Sequence, residues 1–170
     1  MNDEDSSLVK RYKSGDETAF DALFEKYQQP IYSICYRFVR NEDDAKELTQ
    51  EIFIKIYNNL KEFNEKCKFF TWVYRITVNT CISFKRKLHK TTELDGSISN
   101  PAERNLILKK AIEDAIARLP ERQKTAFILR HFEGYTFEEI GEIMKISTGA
   151  AKANHFQAIK RLRSLLKDYL

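Results

Sequence analysis

Glycine and proline are scarce in this chain, at five and three of 170 residues. The tight turns of an all-β fold draw heavily on both, so that architecture has too little material here. Cys35, Cys67 and Cys81 are odd in number and scattered, with no CxxC pair. That excludes a disulfide framework and points to reduced thiols. His89, His131 and His155 lie far apart with no Cys or carboxylate at ligand spacing, so no metal site is expected. A Gly-rich phosphate loop and a nucleophile elbow are both missing, which leaves no cofactor and no enzymatic reaction to assign. No apolar run approaches the ~18 residues that a spanning helix needs. The acidic start, Met1-Asn2-Asp3-Glu4-Asp5, is not followed by the apolar segment of a signal peptide. A cytoplasmic protein without membrane insertion is expected.

Charge and helical rhythm are what the chain has in quantity. Lys and Arg number 29 against 25 Asp and Glu, a formal net charge of only +4. The distribution says more than the total. Between Asn41 and Glu51, five acids (Glu42, Asp43, Asp44, Glu47, Glu51) face one base, Lys46. From Lys145 to Leu170 the balance reverses, with Lys145, Lys152, Lys160, Arg161, Arg163 and Lys167 against Asp168. Opposite signs on separate segments suggest a protein partner at one and a polyanion at the other.

Apolar residues recur at helical spacing nearly throughout. Leu8, Val9 and Tyr12 open a short helix that stops at Ser14-Gly15, and Asp16 is placed to cap the next. Phe20, Leu23, Phe24 and Tyr27 carry that second helix to Pro30, which either kinks it or starts a new one. Asn41 to Asp44 form a turn that caps a third helix, with Ala45, Leu48, Ile52, Ile56 and Tyr57 on one side, running to about Leu60. Lys61 to Lys68 reads as a loop. A further helix follows, with Trp72, Val73, Ile76 and Ile82, and ends in Lys85-Arg86-Lys87. Thr91 to Arg104 is almost free of apolar residues and holds Gly96, Ser97, Ser99, Asn100 and Pro101. The expected architecture is therefore all-α: two small helical domains, 8–90 and 105–170, joined by a flexible linker, 91–104.

In the second half, a helix from near Asn105 ends at Leu119, Pro120 takes a first-turn position, and Gly134 ends the helix that Pro120 starts. Thr136-Phe137-Glu138-Glu139 fits the capping-box pattern. Lys145-Ile146-Ser147 breaks that helix, and a last one runs from Thr148 to Tyr169. These proportions are those of a helix-turn-helix. Ile140, Ile143 and Met144 form one apolar face, and Ala151, Ala158, Ile159, Leu162, Leu165 and Leu166 another. Lys152, Phe156, Gln157, Lys160 and Arg163 lie opposite, where long polar side chains reach phosphates and base edges. Phe156 on that face suits contact with a thymine methyl. An αα-hairpin with a solvated basic face has the same spacing.

In the first half, Asp43 to Phe53 sets an acidic helix face beside apolar residues, the combination that a protein contact uses and that an ordinary solvated helix also shows. Phe69 to Asn79 packs Phe69, Phe70, Trp72 and Tyr74 into one short stretch. Most of these rings are expected in the core, and an exposed subset near Lys85, Arg86 and Lys87 would stack unpaired bases.

The order Asp43-Asp44-Ala45-Lys46-Glu47-Leu48-Thr49-Gln50-Glu51-Ile52-Phe53, then Thr71-Trp72-Val73-Tyr74-Arg75-Ile76 with Val78-Asn79, then Leu119-Pro120-Glu121-Arg122 and Tyr135-Thr136-Phe137-Glu138-Glu139-Ile140 resembles the extracytoplasmic-function sigma factors of bacteria. The resemblance implies a non-enzymatic subunit that takes core RNA polymerase, through its β′ and β subunits, to promoter DNA. It also implies an anti-sigma factor as a partner. On that match Asp44, Glu47, Leu48, Gln50, Glu51 and Phe53 are the candidates for binding the β′ coiled coil. Phe63, Asn64, Lys66, Phe69, Phe70, Asn79, Lys85 and Arg86 are the candidates for opening the minus-ten element as single-stranded DNA. Thr148, Lys152, Asn154, Phe156, Gln157 and Lys160 are the candidates for reading the minus-thirty-five element in duplex DNA. Two departures stand out. Asn154 and Gln157 occupy positions where the family often carries arginine, and Cys67 lies in a loop where small or polar residues are more usual. A dimeric helix-turn-helix repressor would explain the second half but not the acidic helix or the Thr71–Ile76 stretch. A sigma-like decoy would have no need of a complete recognition helix.

Overall fold

The computed structural model describes residues 3–89 and 104–169, and within these all regular structure is helical. The linker expected at 91–104 lies outside the described residues, apart from Arg104. The chain divides into two compact units, Met1–Lys85 and Arg86–Leu170.

The first unit is built from α1 (Asp3–Lys13), α2 (Thr18–Val39), α3 (Glu42–Leu60) and α4 (Phe69–His89) as far as Lys85. Helix α1 begins at Asp3, earlier than its apolar spacing indicated. The reason is Asp5, whose buried carboxylate accepts hydrogen bonds from Tyr27 Oη at 2.7 Å and Lys26 Nζ at 2.6 Å. A charge-assisted pair satisfies what apolar periodicity cannot detect. The N-cap position of α2 is Glu17, which makes no side-chain cap bond, and Asp16 stands one residue earlier, its Oδ1 accepting from the Thr18 amide at 3.1 Å. Pro30 neither ends nor restarts this helix, which runs unbroken. Tyr27, Ile31, Ile34 and Phe38 are buried along it, and packing of that stripe outweighs the one backbone bond that proline removes. Helix α3 starts as expected, with Asn41 Oδ1 accepting from the amides of Asp43 and Asp44 at 2.9 and 3.0 Å. Ala45, Leu48, Ile52, Ile56 and Leu60 are buried, but Tyr57, expected on the same side, is 47% exposed. Each fully buried Leu or Ile contributes roughly 1.5–3 kcal/mol.

The second unit contains α5 (Arg104–Ala117), α6 (Glu121–His131), α7 (Phe137–Met144) and α8 (Thr148–Leu165). Pro120 stands just before α6 as its N-cap, with extended ψ 146°, and not inside the first turn. Helix α6 ends at His131, and Gly134 takes φ +73° in the turn beyond it. The capping box is complete: Thr136 Oγ1 accepts from the Glu139 amide at 3.2 Å, and the Thr136 amide donates back to Glu139 at 2.9 Å. Helix α8 stops at Leu165, and residues 167–169 form a separate 3-10 turn. A core of Ala115, Ile116, Leu119, Phe127, Ala158 and Leu162 joins α5, α6 and α8, with Ile159 and Leu166 packed against it. Leu165 is 40% exposed and does not join that face.

Candidate functional site

The turn between α7 and α8 fixes how α8 is presented. Lys145 takes a left-handed conformation, φ 53°, and the Ile146 amide donates to the Gly141 carbonyl at 2.9 Å. A Cβ on Gly141 would stand 2.9 Å from the Ile146 carbonyl oxygen, so only glycine allows the two helices to close this tightly. Ser147 then caps α8, its hydroxyl accepting from the Ala150 amide at 3.1 Å. Underneath, the His155 ring lies 6.2 Å from Phe127 and 5.5 Å from Phe137. Burial depresses the pKa of His155, and the charges of Arg130 and His131 add to the effect.

On the outer side, Lys152, Phe156, Gln157, Lys160 and Arg163 are all exposed, Phe156 at 66%. Thr148 is half-buried at the start of the helix. Asn154 departs from its assignment: it is half-buried, and its Nδ2 donates to the Ala150 carbonyl at 2.8 Å. Its amide is folded onto its own helix, away from the outward arc.

In the first unit, α3 exposes Glu47, Gln50 and Glu51 with Asp44 half-buried, so the acidic face is real. Leu48 and Phe53 do not belong to it. Leu48 is fully buried, and Phe53 is 7% exposed with its ring 4.5 Å from Phe24. A helix must put its core stripe inward, and both residues lie on that stripe. The residue that sequence reasoning missed is Ile54, 60% exposed, three and four positions from Glu51 and Gln50. Its signal was available: it falls one heptad after Glu47 on the polar side. Beside this face a shallow groove of about 340 Å³ is lined by Phe24, Gln28, Gln29, Tyr32, Lys46, Thr49 and Gln50. Glu51 pairs with Lys55 at 2.6 Å, and Lys55 reaches Thr80 Oγ1 on α4 at 3.1 Å, next to Asn79.

The loop between α3 and α4 exposes Asn64, Glu65 and Lys66, with Glu65 in a left-handed conformation, φ 57°. Asn79 and Arg86 are exposed on α4, and Lys85 is half-buried. Phe63, Phe69 and Phe70, expected to meet DNA, are instead 4–7% exposed. Phe63, Phe69 and Trp72 hold one another at centroid separations of 5.1–5.7 Å, and Phe69 also meets Tyr27 at 5.6 Å. These rings are the floor under the loop, not a stacking platform. Cys67 is half-buried, 3.8 Å from Arg75 Nη1, while Cys35 and Cys81 are buried with their sulfurs 3.7 Å apart, and none of the three is in a disulfide. Among the described residues no group of His, Cys, Asp and Glu could hold a metal ion, and no helix is long and apolar enough to cross a membrane.

An acidic helix face, a polar loop over an aromatic floor and a capped helix-turn-helix with a basic outer face are thus present in one chain. Comparison with known proteins supplies the family. Residues 23–91 match Sigma-70 region 2, and residues 109–162 match Sigma-70, region 4. The chain belongs to the ECF family of RNA polymerase sigma factors, non-enzymatic proteins that direct transcription initiation. It is 31% identical to the ECF sigma factor SigW of Bacillus subtilis over 94% of this chain and 95% of that one. It is 32% identical to the ECF sigma-E factor of Escherichia coli K12 over 91% and 90%. The fold is shared with CnrH, solved in complex with the cytosolic domain of CnrY (TM-score 0.78, 21% identity, 98% of this chain and 99% of that one). It is shared as well with RpoE of Bartonella quintana, solved with the anti-sigma factor NepR (TM-score 0.71, 21% identity, 87% and 96%).

Proposed function

We propose that this sigma factor docks on core polymerase through the acidic face of α3, reads the minus-thirty-five element with α8, and opens the minus-ten element with the α3–α4 loop and Asn79. The observation that carries the proposal is the outward face of α8. Lys152, Phe156, Gln157 and Lys160 stand exposed together on a helix fixed by two caps and a glycine turn. Such a face offers charge to phosphates and reach to base edges. Asp44, Glu47, Gln50 and Glu51, with Ile54 among them, supply orientation and an apolar contact for the polymerase β′ subunit, with β a further contact. Asn64, Lys66, Asn79, Lys85 and Arg86 supply polar groups and charge to the unpaired strand. Asn79, with both donor and acceptor, is the group for a base edge. A sigma factor of this kind works in the cytoplasm, and an anti-sigma factor is its natural regulator, as NepR is the partner of RpoE in the Bartonella quintana complex.

Mixing the purified chain with bacterial core polymerase and mapping transcripts on a genomic template tests the whole reading. The expected result is initiation from a restricted promoter set that vanishes in the double variant Asp44→Lys with Glu47→Lys, together with affinity for core. Unchanged core affinity in that variant would remove α3 from the docking surface.

A further inference from the structure

Helix α1 lies outside both matched regions, which begin at residue 23, yet its contacts converge on the loop after α3. Its first turn is fixed to α2 by the buried Asp5 carboxylate, held by Tyr27 Oη and Lys26 Nζ. Its second half packs against α3, where Tyr12 is buried with its ring 6.0 Å from that of Tyr57. Its last residue, Lys13, then reaches the root of the loop. Lys13 Nζ donates to the Phe63 carbonyl oxygen and also stands 6.0 Å from the centroid of the Phe63 ring. A second tie joins Ser6 Oγ to the Glu65 carboxylate at 3.3 Å, at the loop residue with φ 57°. The Phe63 carbonyl follows the last turn of α3, where backbone acceptors lack helical partners and the helix end favours a cation. An ammonium delivered there from another helix holds the backbone and the ring of the same residue.

We propose that Lys13 is a positioning residue for promoter opening: by holding the Phe63 carbonyl it sets the loop in the shape in which Asn64 and Lys66 meet the unpaired strand. This rests on the reading that the loop contacts minus-ten DNA. Lys13 itself touches no base. Its effect passes through the loop backbone, and α1 becomes the strut on which that backbone leans.

The test uses reconstituted holoenzyme carrying the full chain, either unaltered or as Lys13→Ala, Lys13→Arg or Asn64→Ala. Core affinity, permanganate reactivity of promoter thymines on duplex and pre-melted templates, and amide exchange over residues 63–67 are measured for each. Lys13→Ala is expected to leave core affinity unchanged and to lower duplex opening about five- to tenfold, the scale of one ordinary net hydrogen bond. Exchange in the loop should rise, the pre-melted template should recover most of the loss, and Lys13→Arg should restore opening. If Asn64→Ala impairs opening and Lys13→Ala does not, the positioning role is overturned while the loop assignment stands. If neither impairs it, both fall. A Lys13→Ala defect with unchanged loop exchange, or with an equal loss of core affinity, also overturns the role.

Discussion

Phenylalanine serves the two proposed DNA contacts in opposite ways. Phe156 stands two-thirds in solvent on the outer face of α8, whereas Phe63, Phe69 and Phe70 lie folded under the loop between α3 and α4. Helix α8 spends its inner side on Ala151, Ala158 and Leu162 and keeps long side chains outside. In the first unit, rings from α2, α4 and the loop root meet in one cluster, so aromatic area there is worth more buried than displayed. The proposed duplex contact is thus made by protruding side chains on a rigid rod. The proposed single-strand contact is made by a polar loop on a rigid aromatic floor.

The sharpest way to break this contrast is to remove one ring from each place. Phe63→Ala should cost about 3–5 kcal/mol of stability in the first unit, measured by urea unfolding, because it opens a hole in packed rings. Phe156→Ala should change stability by less than about 0.5 kcal/mol and weaken duplex promoter binding instead. Equal stability losses would make Phe156 a core residue.

Backbone closeness gives the next largest effect. Gly141→Ala should destabilise the second unit by about 1–3 kcal/mol, seen as faster amide exchange across α7 and α8, since the new methyl meets a backbone oxygen and not a movable side chain. The first unit has no counterpart turn in its proposed site, so its exchange should be unaffected.

Within α8, Lys152→Ala should cost about 1–3 kcal/mol of DNA affinity in a way that depends on one base pair. Lys160→Ala should weaken binding evenly across sequences and lower the salt slope, as loss of a phosphate contact does. Identical behaviour on every template would mean that this helix supplies charge without sequence reading.

The smallest effect is acid sensitivity of the second unit. The imidazole of His155 is held below its ordinary value by burial and by Arg130 and His131, so the unfolded chain binds its proton more readily than the folded one. Stability from this group is complete above about pH 6.5, the unperturbed value, and is lost as pH falls toward the depressed folded value. His155→Gln should flatten that part of the stability curve, with the imidazole resonance in the unaltered protein titrating below the normal range.

Helix positions, the two caps at Asn41 and Thr136 and the outward arc of α8 were legible in the sequence because each depends on residues a few positions apart. Asp5 was not, because its partners Tyr27 and Lys26 lie a helix away. Spacing alone had most of the rings of the α4 stretch in the core, and it was the resemblance that turned Phe63, Phe69 and Phe70 toward DNA. Phe63 and Phe69 flank a loop, and only long-range packing against Tyr27 and Trp72 decides that they turn inward. Leu48 was assigned to a surface by motif resemblance when its own spacing already placed it inside, and Phe53 was assigned there with it. The amide bond that ties Asn154 to Ala150 within its own turn was likewise not legible from its place on the helix.

Trp72 is the chain's one tryptophan, and it sits in the ring cluster beneath the loop, 5.1 Å from Phe63. The protein therefore carries a single built-in optical label at the foot of the segment proposed to seize unpaired DNA. Indole emission from the free protein reports the first unit alone, and the second is silent in that channel. A fluorine substituted on the same indole would give one resonance line inside the much larger holoenzyme, where fluorescence from polymerase tryptophans would swamp it. Any displacement of Phe63 from its neighbour ring would then be visible as a shift of that line, with no mutation and no attached dye.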